Sequence, residues 1–294
     1  MEFIPAEKAV PLREASTANL LIDSTDRTSG SAADFLINLN ASIMNGFFTR
    51  LAVAEVVLDW CVDNVSAETG NNSIIIAVDT GGGQSATKTI TLPDGQYTIA
   101  QCLDQIIVLL NTNPIPNTVF SLVAAPGGTK AIHMTLSGSP SDFSIFSTNL
   151  AIELNIPTNE GIADNDFPIN CPKLLPYTYI DFVSDSLTYN QQLKDATTNE
   201  VSRNVLYRWT FAWDTPAPVD TYGYPIYQGY QRFVARRVLP FPKQIRWSAN
   251  QPIGQLKFQV ISSQGVVLPG IPADGVPGVN GEMEWSMTLL VSEV

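Results

Sequence analysis

The stretch Glu282-Met283-Glu284-Trp285-Ser286-Met287-Thr288-Leu289-Leu290-Val291 changes character at every step. Met283, Trp285, Met287, Leu289 and Val291 fall on one side; Glu282, Glu284, Ser286, Thr288 and the less polar Leu290 fall on the other. Side chains of an extended chain point alternately to opposite faces, so this is a strand with one face on a core and one towards water. The same period recurs upstream. Val205, Tyr207, Trp209, Phe211 and Trp213 oppose Arg208, Thr210 and Asp214, and Leu256, Phe258 and Val260 enclose Lys257 and Gln259. Phe35, Ile37 and Leu39 lie in the strand-like run DFLINL. In RLAVAEVVLDW (50–60), strict alternation sets Leu51, Val53, Glu55, Val57 and Asp59 against Ala52, Ala54, Val56, Leu58 and Trp60, a run buried on much of both faces.

The connections carry Pro, Gly, Asn and Ser, which end strands and set turns. They include the tyrosine-rich loop from Tyr222 to Gly229 and the stretch from Leu268 to Gly281, where Pro269, Pro272 and Pro277 exclude a central strand. Many strands joined by irregular loops predict a mainly β protein, a sandwich or jelly roll.

From Ser73 to Pro157 the pattern is mixed. NNSIIIAVD and TKTITL predict two strands around a glycine-rich turn at Gly81 to Gly83. Ile99, Cys102, Leu103, Ile106, Ile107 and Leu110 then recur at three- and four-residue steps, one face of an amphipathic helix. Thr98 with Gln101 forms a capping-box signature before it, and Asn111 to Pro114 ends it. VFSLVA, AIHMTL and DFSIF read as strands, and NLAIELNI as a short helix. This small α+β unit lies between β segments and is expected to be an insertion. The expected organisation is an N-terminal arm at 1–18, a discontinuous sandwich domain at 19–72 and 158–294, and an inserted domain at 73–157.

The chain has 294 residues, of which 45% are hydrophobic and only 15% charged, which argues against disorder and leaves a surface suited to partner contact. Its net charge of −12 lacks the positive field that phosphate neutralisation needs, so nucleic acid is not the expected partner. No run approaches the roughly 20 apolar residues of a membrane span. Cys61, Cys102 and Cys171 are odd in number and widely spaced, which favours buried thiols and a reducing compartment over a disulfide framework.

Catalytic chemistry has little to stand on. The single histidine, His133, lies within the strand AIHMTL and cannot build a His-rich metal site. GGGQSATK lacks the Gly-Lys-Ser/Thr ending of a phosphate loop, and Asp164 with Asp166 lacks EF-hand spacing. No catalytic, cofactor-binding or metal residue is assigned, and no enzyme is expected. The interface candidates are Arg232, Arg236 and Arg237 with Tyr222, Tyr224, Tyr227 and Tyr230, since Arg and Tyr combine contact area with directional hydrogen bonds. The competing reading puts the arginines on the polar face of a strand, paired with local carboxylates.

Several stretches in a fixed order resemble the penton (vertex) capsid proteins of virophages and polinton-like viruses. LLIDSTDR, DFLINL and RLAVAEVVLDW resemble their opening strands, and TITLPDGQYTIAQCLDQI with LAIELNI resembles their α+β insertion. LLPYTYIDFVSDSLTYNQ, VLYRWTFAW and RRVLPFPKQIRW complete the likeness, which runs from about Leu20 to the C-terminus. The resemblance implies a single jelly-roll β-sandwich with an inserted α+β domain, assembled as a homopentamer at the fivefold vertices of an icosahedral capsid. Its implied partners are copies of itself and neighbouring major capsid protein trimers, with the insertion projecting towards a fibre or host surface; its implied location is the virion. Other readings are a minor capsid or cement protein on the same fold, and a carbohydrate-binding attachment module using the tyrosine-rich loop.

Overall fold

The computed structural model describes residues 17–38, 50–79, 85–125, 130–136, 143–157, 166–169, 172–174, 177–188, 193–194, 202–211, 218–227, 230, 232–240, 242, 244–246, 254–268 and 283–292. Residues 1–16 of the arm expected at 1–18, the glycine turn, Asp164, Cys171 and the prolines of the 269–281 stretch lie outside these residues.

Two antiparallel sheets face each other. The first runs β1 (Thr17–Asp23), β18 (Glu284–Ser292), β4 (Arg50–Trp60), then β15 (Phe233–Val238), with β16 (Gln244–Arg246) also on β4. The second runs β14 (Val205–Thr210), β11 (Tyr179–Val183), β17 (Gln255–Ser262), β3 (Asp34–Asn38) and β2 (Ser29–Ser31), while β12 (Leu193–Lys194) and β13 (Ser202–Arg203) pair only with each other. The pairings are nested: β1 with β18, β3 with β17, β4 with β15 and β16, β11 with β14. A long antiparallel ribbon rolled into two sheets gives this order, which is a jelly roll.

Strand direction fixes where the connections go. β1 and β4 both run antiparallel to β18, so they are parallel to each other and leave the first sheet at the same end. β15 and β18, antiparallel to β4, enter the sheet at that end. The strand ends at Asp23 and Trp60 and the strand starts at Phe233 and Glu284 therefore gather at one end of the first sheet. The insertion and the tyrosine-rich loop are neighbours for this reason.

Inside the sandwich, Trp285 of the first sheet sits among Phe35, Phe182 and Phe258 of the second, with ring centroids 5.5, 4.9 and 5.7 Å away. Its indole N–H donates to the Ala32 carbonyl at 2.8 Å, so its polar atom is satisfied as the ring is buried. Met283, Met287, Leu289 and Val291 share its face and are buried, as the alternation predicts. β4 departs from strict alternation. Thr288 pairs with Glu55 and Leu289 with Val53, so a bulge passes over Ala54. An extra residue in one strand flips the faces beyond it. Leu51 and Val53 point inward before the bulge, and Val56, Leu58 and Trp60 after it, each at 2% exposure or less.

The span from 61 to 178 leaves β4 and returns to β11. It contains β5 (Ser73–Asp79), β6 (Ser85–Thr91), α1 (Ile99–Asn111), β7 (Thr118–Ala124), β8 (Lys130–Leu136), β9 (Phe143–Ile145), α2 (Asn149–Glu153) and β10 (Asp166–Pro168). The sheets are β6-β5-β9 and β10-β8-β7, so β10, beyond residue 157, pairs within this unit. Helix α1 forms where its period predicts. Thr98 accepts the Gln101 amide while the Gln101 side chain accepts the Thr98 amide, which satisfies two orphan donors. At its other end, Lys88 Nζ donates to the carbonyls of Leu109, Leu110, Thr112 and Asn113 at 2.7–3.1 Å. A cation there meets the negative end of the helix dipole. Ile99, Cys102, Leu103, Ile106 and Leu110 bury the apolar face.

Candidate subunit interface

The expected interface cluster divides into two parts with different surroundings. The tyrosines lie on the 211–232 connection, where Pro218 to Ile226 closes into a tight hairpin. Asp220 and Tyr224 are joined through backbone atoms, as are Pro218 and Ile226, at 2.8 and 2.7 Å. Gly223 turns the chain at φ +84°, a conformation that a Cβ disfavours. Asp220 Oδ1 accepts the amides of Tyr222 and Tyr224 at 2.9 and 3.0 Å, and its Oδ2 accepts the amide of Ala100 in the first turn of α1 at 2.8 Å.

The hairpin grips the inserted unit. Tyr224 is 5% exposed; its hydroxyl accepts the Lys130 amide at 2.9 Å and donates to the Ile169 carbonyl at 3.4 Å. Tyr230 is fully buried and its hydroxyl accepts the Leu174 amide at 2.9 Å. Tyr227 stacks against it at a tilt, centroids 5.1 Å apart. Tyr222 donates to Asp104 Oδ1 at 2.5 Å, and Lys130 Nζ lies 4.9 Å above its ring. The hydrogen bond to the Asp104 carboxylate, then burial, pushes the Tyr222 phenol up to about 12. Tyr224 and Tyr230 thus belong to the interior of this chain, and of the four tyrosines only Tyr222 and Tyr227 keep exposed surface.

The arginines occupy β15. Phe233, Ala235 and Arg237 lean inward, and Val234, Arg236 and Val238 face out. Arg237 donates to the Thr210 carbonyl at 2.8 Å and lies 4.1 Å over the Trp209 ring, closing the side of the sandwich between β15 and β14. Arg236 makes a two-pronged bond with Glu55, both contacts 2.7 Å, and Arg232 does the same with Asp59 at 3.1 and 2.7 Å. The Arg236 guanidinium holds Glu55 below the usual carboxylate range. Both arginines thus pair with carboxylates across the strand, while 66% and 59% of their side chains stay exposed.

These residues belong to a wider surface, the outer face of the first sheet. One row crosses four strands as Leu21, Thr288, Glu55 and Val238; the next contains Asp23, Ser286, Val57 and Arg236. Leu21, Val234 and Val238 are 60–69% exposed and Leu290 is 38% exposed. Glu55, Asp59 and Glu284 each face an arginine (Arg236, Arg232 and Arg27). On a chain of net charge −12, this face mixes exposed apolar side chains with arginine–carboxylate pairs.

The sequence pattern marked the arginines and tyrosines but not Asp220, Asp104 or Glu55, whose roles come from long-range proximity. His133 is half-buried on β8. Among the described residues no group of three or more His, Cys, Asp or Glu side chains is placed to hold a metal ion, and no helix is long and apolar enough to cross a membrane. Burial pushes the Cys61 thiol up to about 11 and raises that of Cys102 as well.

No protein-family model matches the sequence, and no curated protein matches it. A solved structure does match. This chain is similar in fold to the mavirus penton protein. The likeness has a TM-score of 0.53 and covers 96% of this chain and 100% of that one. Sequence identity with the mavirus penton protein is 9%, so what the two share is the arrangement of elements. Coverage this complete takes in the inserted unit as well as both sheets of the sandwich.

Proposed function

We propose that this chain is a structural, non-enzymatic virion protein, a penton that forms homopentamers closing the fivefold vertices of an icosahedral capsid. The observation that carries the reading is the fold likeness to the mavirus penton protein along the whole chain, insertion included. The order of stretches from Leu20 onward supports it independently.

A fivefold ring uses a heterologous contact, in which one patch meets a different patch on the next copy. Five copies carry five times −12, so bulk charge opposes assembly. On the outer face of the first sheet this repulsion is locally reduced, because Glu55, Asp59 and Glu284 are each paired with an arginine. In this reading a second copy of the chain covers Leu21, Val57, Val234, Val238 and Leu290, and Arg232 and Arg236 line the contact. Neighbouring major capsid protein trimers then surround the ring, and the inserted unit, at the loop end of the sandwich, contacts a fibre or host surface.

Native mass spectrometry of the purified chain tests the proposal. A closed pentamer is expected; a trimer would move the chain to another capsid position or a cement role. The glycan-binding alternative is weakened by the burial of Tyr224 and Tyr230, which removes them from any exposed platform.

A further inference from the structure

The stems of the inserted unit meet at a polar centre built from two buried asparagines. Asn64 and Asn71 are 2% and 1% exposed. Asn64 Nδ2 donates to the carbonyls of Tyr97 and Leu174 at 2.8 and 3.1 Å, and its Oδ1 accepts the Tyr97 amide at 2.8 Å. Asn71 Oδ1 accepts from the Ser66 amide and the Thr69 hydroxyl at 2.9 and 2.6 Å; its Nδ2 donates to the Asn64 carbonyl at 2.8 Å and to Glu153 Oε2 at 2.9 Å. The Glu153 backbone carbonyl accepts the Lys173 amide at 2.7 Å, and Tyr230 holds the next residue, Leu174. Outgoing stem, α2 and returning stem therefore meet at Glu153, and Tyr230 ties the 211–232 connection to the neighbouring Leu174.

Glu153 is a half-buried acid whose carboxylate, among the described residues, is bonded by Asn71 alone. The titratable groups facing it are Cys102 from α1, Tyr177 from the returning stem and Tyr230 from the 211–232 connection, all uncharged near neutrality. Glu68 of the outgoing stem is a further carboxylate beside Tyr177. No lysine or arginine is paired with Glu153 among the described residues. Removing a carboxylate from water without a counter-charge is costly, whereas the protonated acid keeps a carbonyl oxygen for Asn71 and loses that cost.

We propose that the junction between the inserted unit and the sandwich is a proton-operated latch, closed when the Glu153 carboxyl is protonated and loosened when it is charged. Burial, only partly offset by the Asn71 hydrogen bond, pushes Glu153 up to about 7 from its ordinary 4.5. A folded-state value above the unfolded one means that the folded chain binds more protons between the two. The stabilisation is complete below about 4.5 and is lost as pH rises towards about 7. The latch is intrinsic to one chain and does not depend on its forming a ring.

Hydrogen exchange on the full-length protein, corrected for intrinsic rates, tests this at about pH 5.5, inside the window, and at about pH 8.5, above it. In the native protein, protection of 64–71 and 172–174 should fall by about thirtyfold at the higher pH, a factor of about ten for each unit from about 5.5 to about 7, while β4 and β18 stay unchanged. Glu153→Gln, a neutral mimic of the protonated acid, should keep the same protection at both. Equal protection of the native protein at both pH values, or a Glu153→Gln protein that still loses protection, overturns the proposal. Should that variant not fold, the native protein suffices: protection in the stems should fall steadily from about pH 4.5 and level off near 7, and protection that stays flat across that range overturns the proposal.

Discussion

Asp220 and Ala100 are 120 positions apart, yet the Asp220 carboxylate accepts the Ala100 amide hydrogen at 2.8 Å. The jelly roll thus supplies a cap to the first turn of a helix that belongs to its insertion. Four amides at a helix start lack partners within the helix, and here Thr98 and Asp220 answer two of them from different parts of the chain.

Asp220→Ala should remove that cap and the two hairpin bonds to Tyr222 and Tyr224 together. The expected loss is about 1–2 kcal/mol, within the range of a lost cap, measured by denaturant unfolding. Hydrogen exchange should speed at Ala100 before it speeds in β18. Unchanged stability would mean that the grip on the insertion lies elsewhere.

Trp285→Ala empties the space among Phe35, Phe182 and Phe258 and leaves the Ala32 carbonyl without its donor. Truncating a buried aromatic costs about 3–5 kcal/mol, which should register as a clear drop in the unfolding midpoint. Trp285→Phe should recover most of the packing but not the hydrogen bond.

Val234→Asp with Val238→Asp puts two charges on the outward face of β15, away from the core. The variant should keep the native secondary structure and unfolding midpoint but lose the ring, seen as a smaller mass by light scattering. A variant that still forms the native oligomer would exclude this face as the subunit contact.

The Tyr222 phenol should ionise late. Followed at the phenolate absorbance band, the difference between the native protein and Tyr222→Phe should show a transition near 12. Asp104→Ala removes the acceptor that holds the proton and should bring the transition back towards the ordinary value of 10. A native transition already near 10 would mean that the Asp104 bond does not form in solution.

The sequence spoke clearly where structure is local. The alternation through Trp285 marks β18, and Thr98 with Gln101 marks the start of α1, because period and capping depend on neighbours in sequence. Ala54 shows the limit of that reading. Its bulge is set by pairing with Leu289 and Thr288, more than two hundred positions away, so strict alternation put Leu51 and Val53 on the wrong face. Arg236 and Tyr224 show the same limit at the candidate interface. Both residue types suggest contact surface, but only the rolled-up topology shows that Tyr224 is buried under the inserted unit while Arg236 stays outside, facing Glu55.

Copies of this chain should close into a ring of five, and their mass in solution decides it. Native mass spectrometry should find one closed species at five times 32.0 kDa, about 160 kDa, which the Val234→Asp, Val238→Asp variant dissociates. A trimer, or a monomer at every concentration tested, would exclude a ring of five.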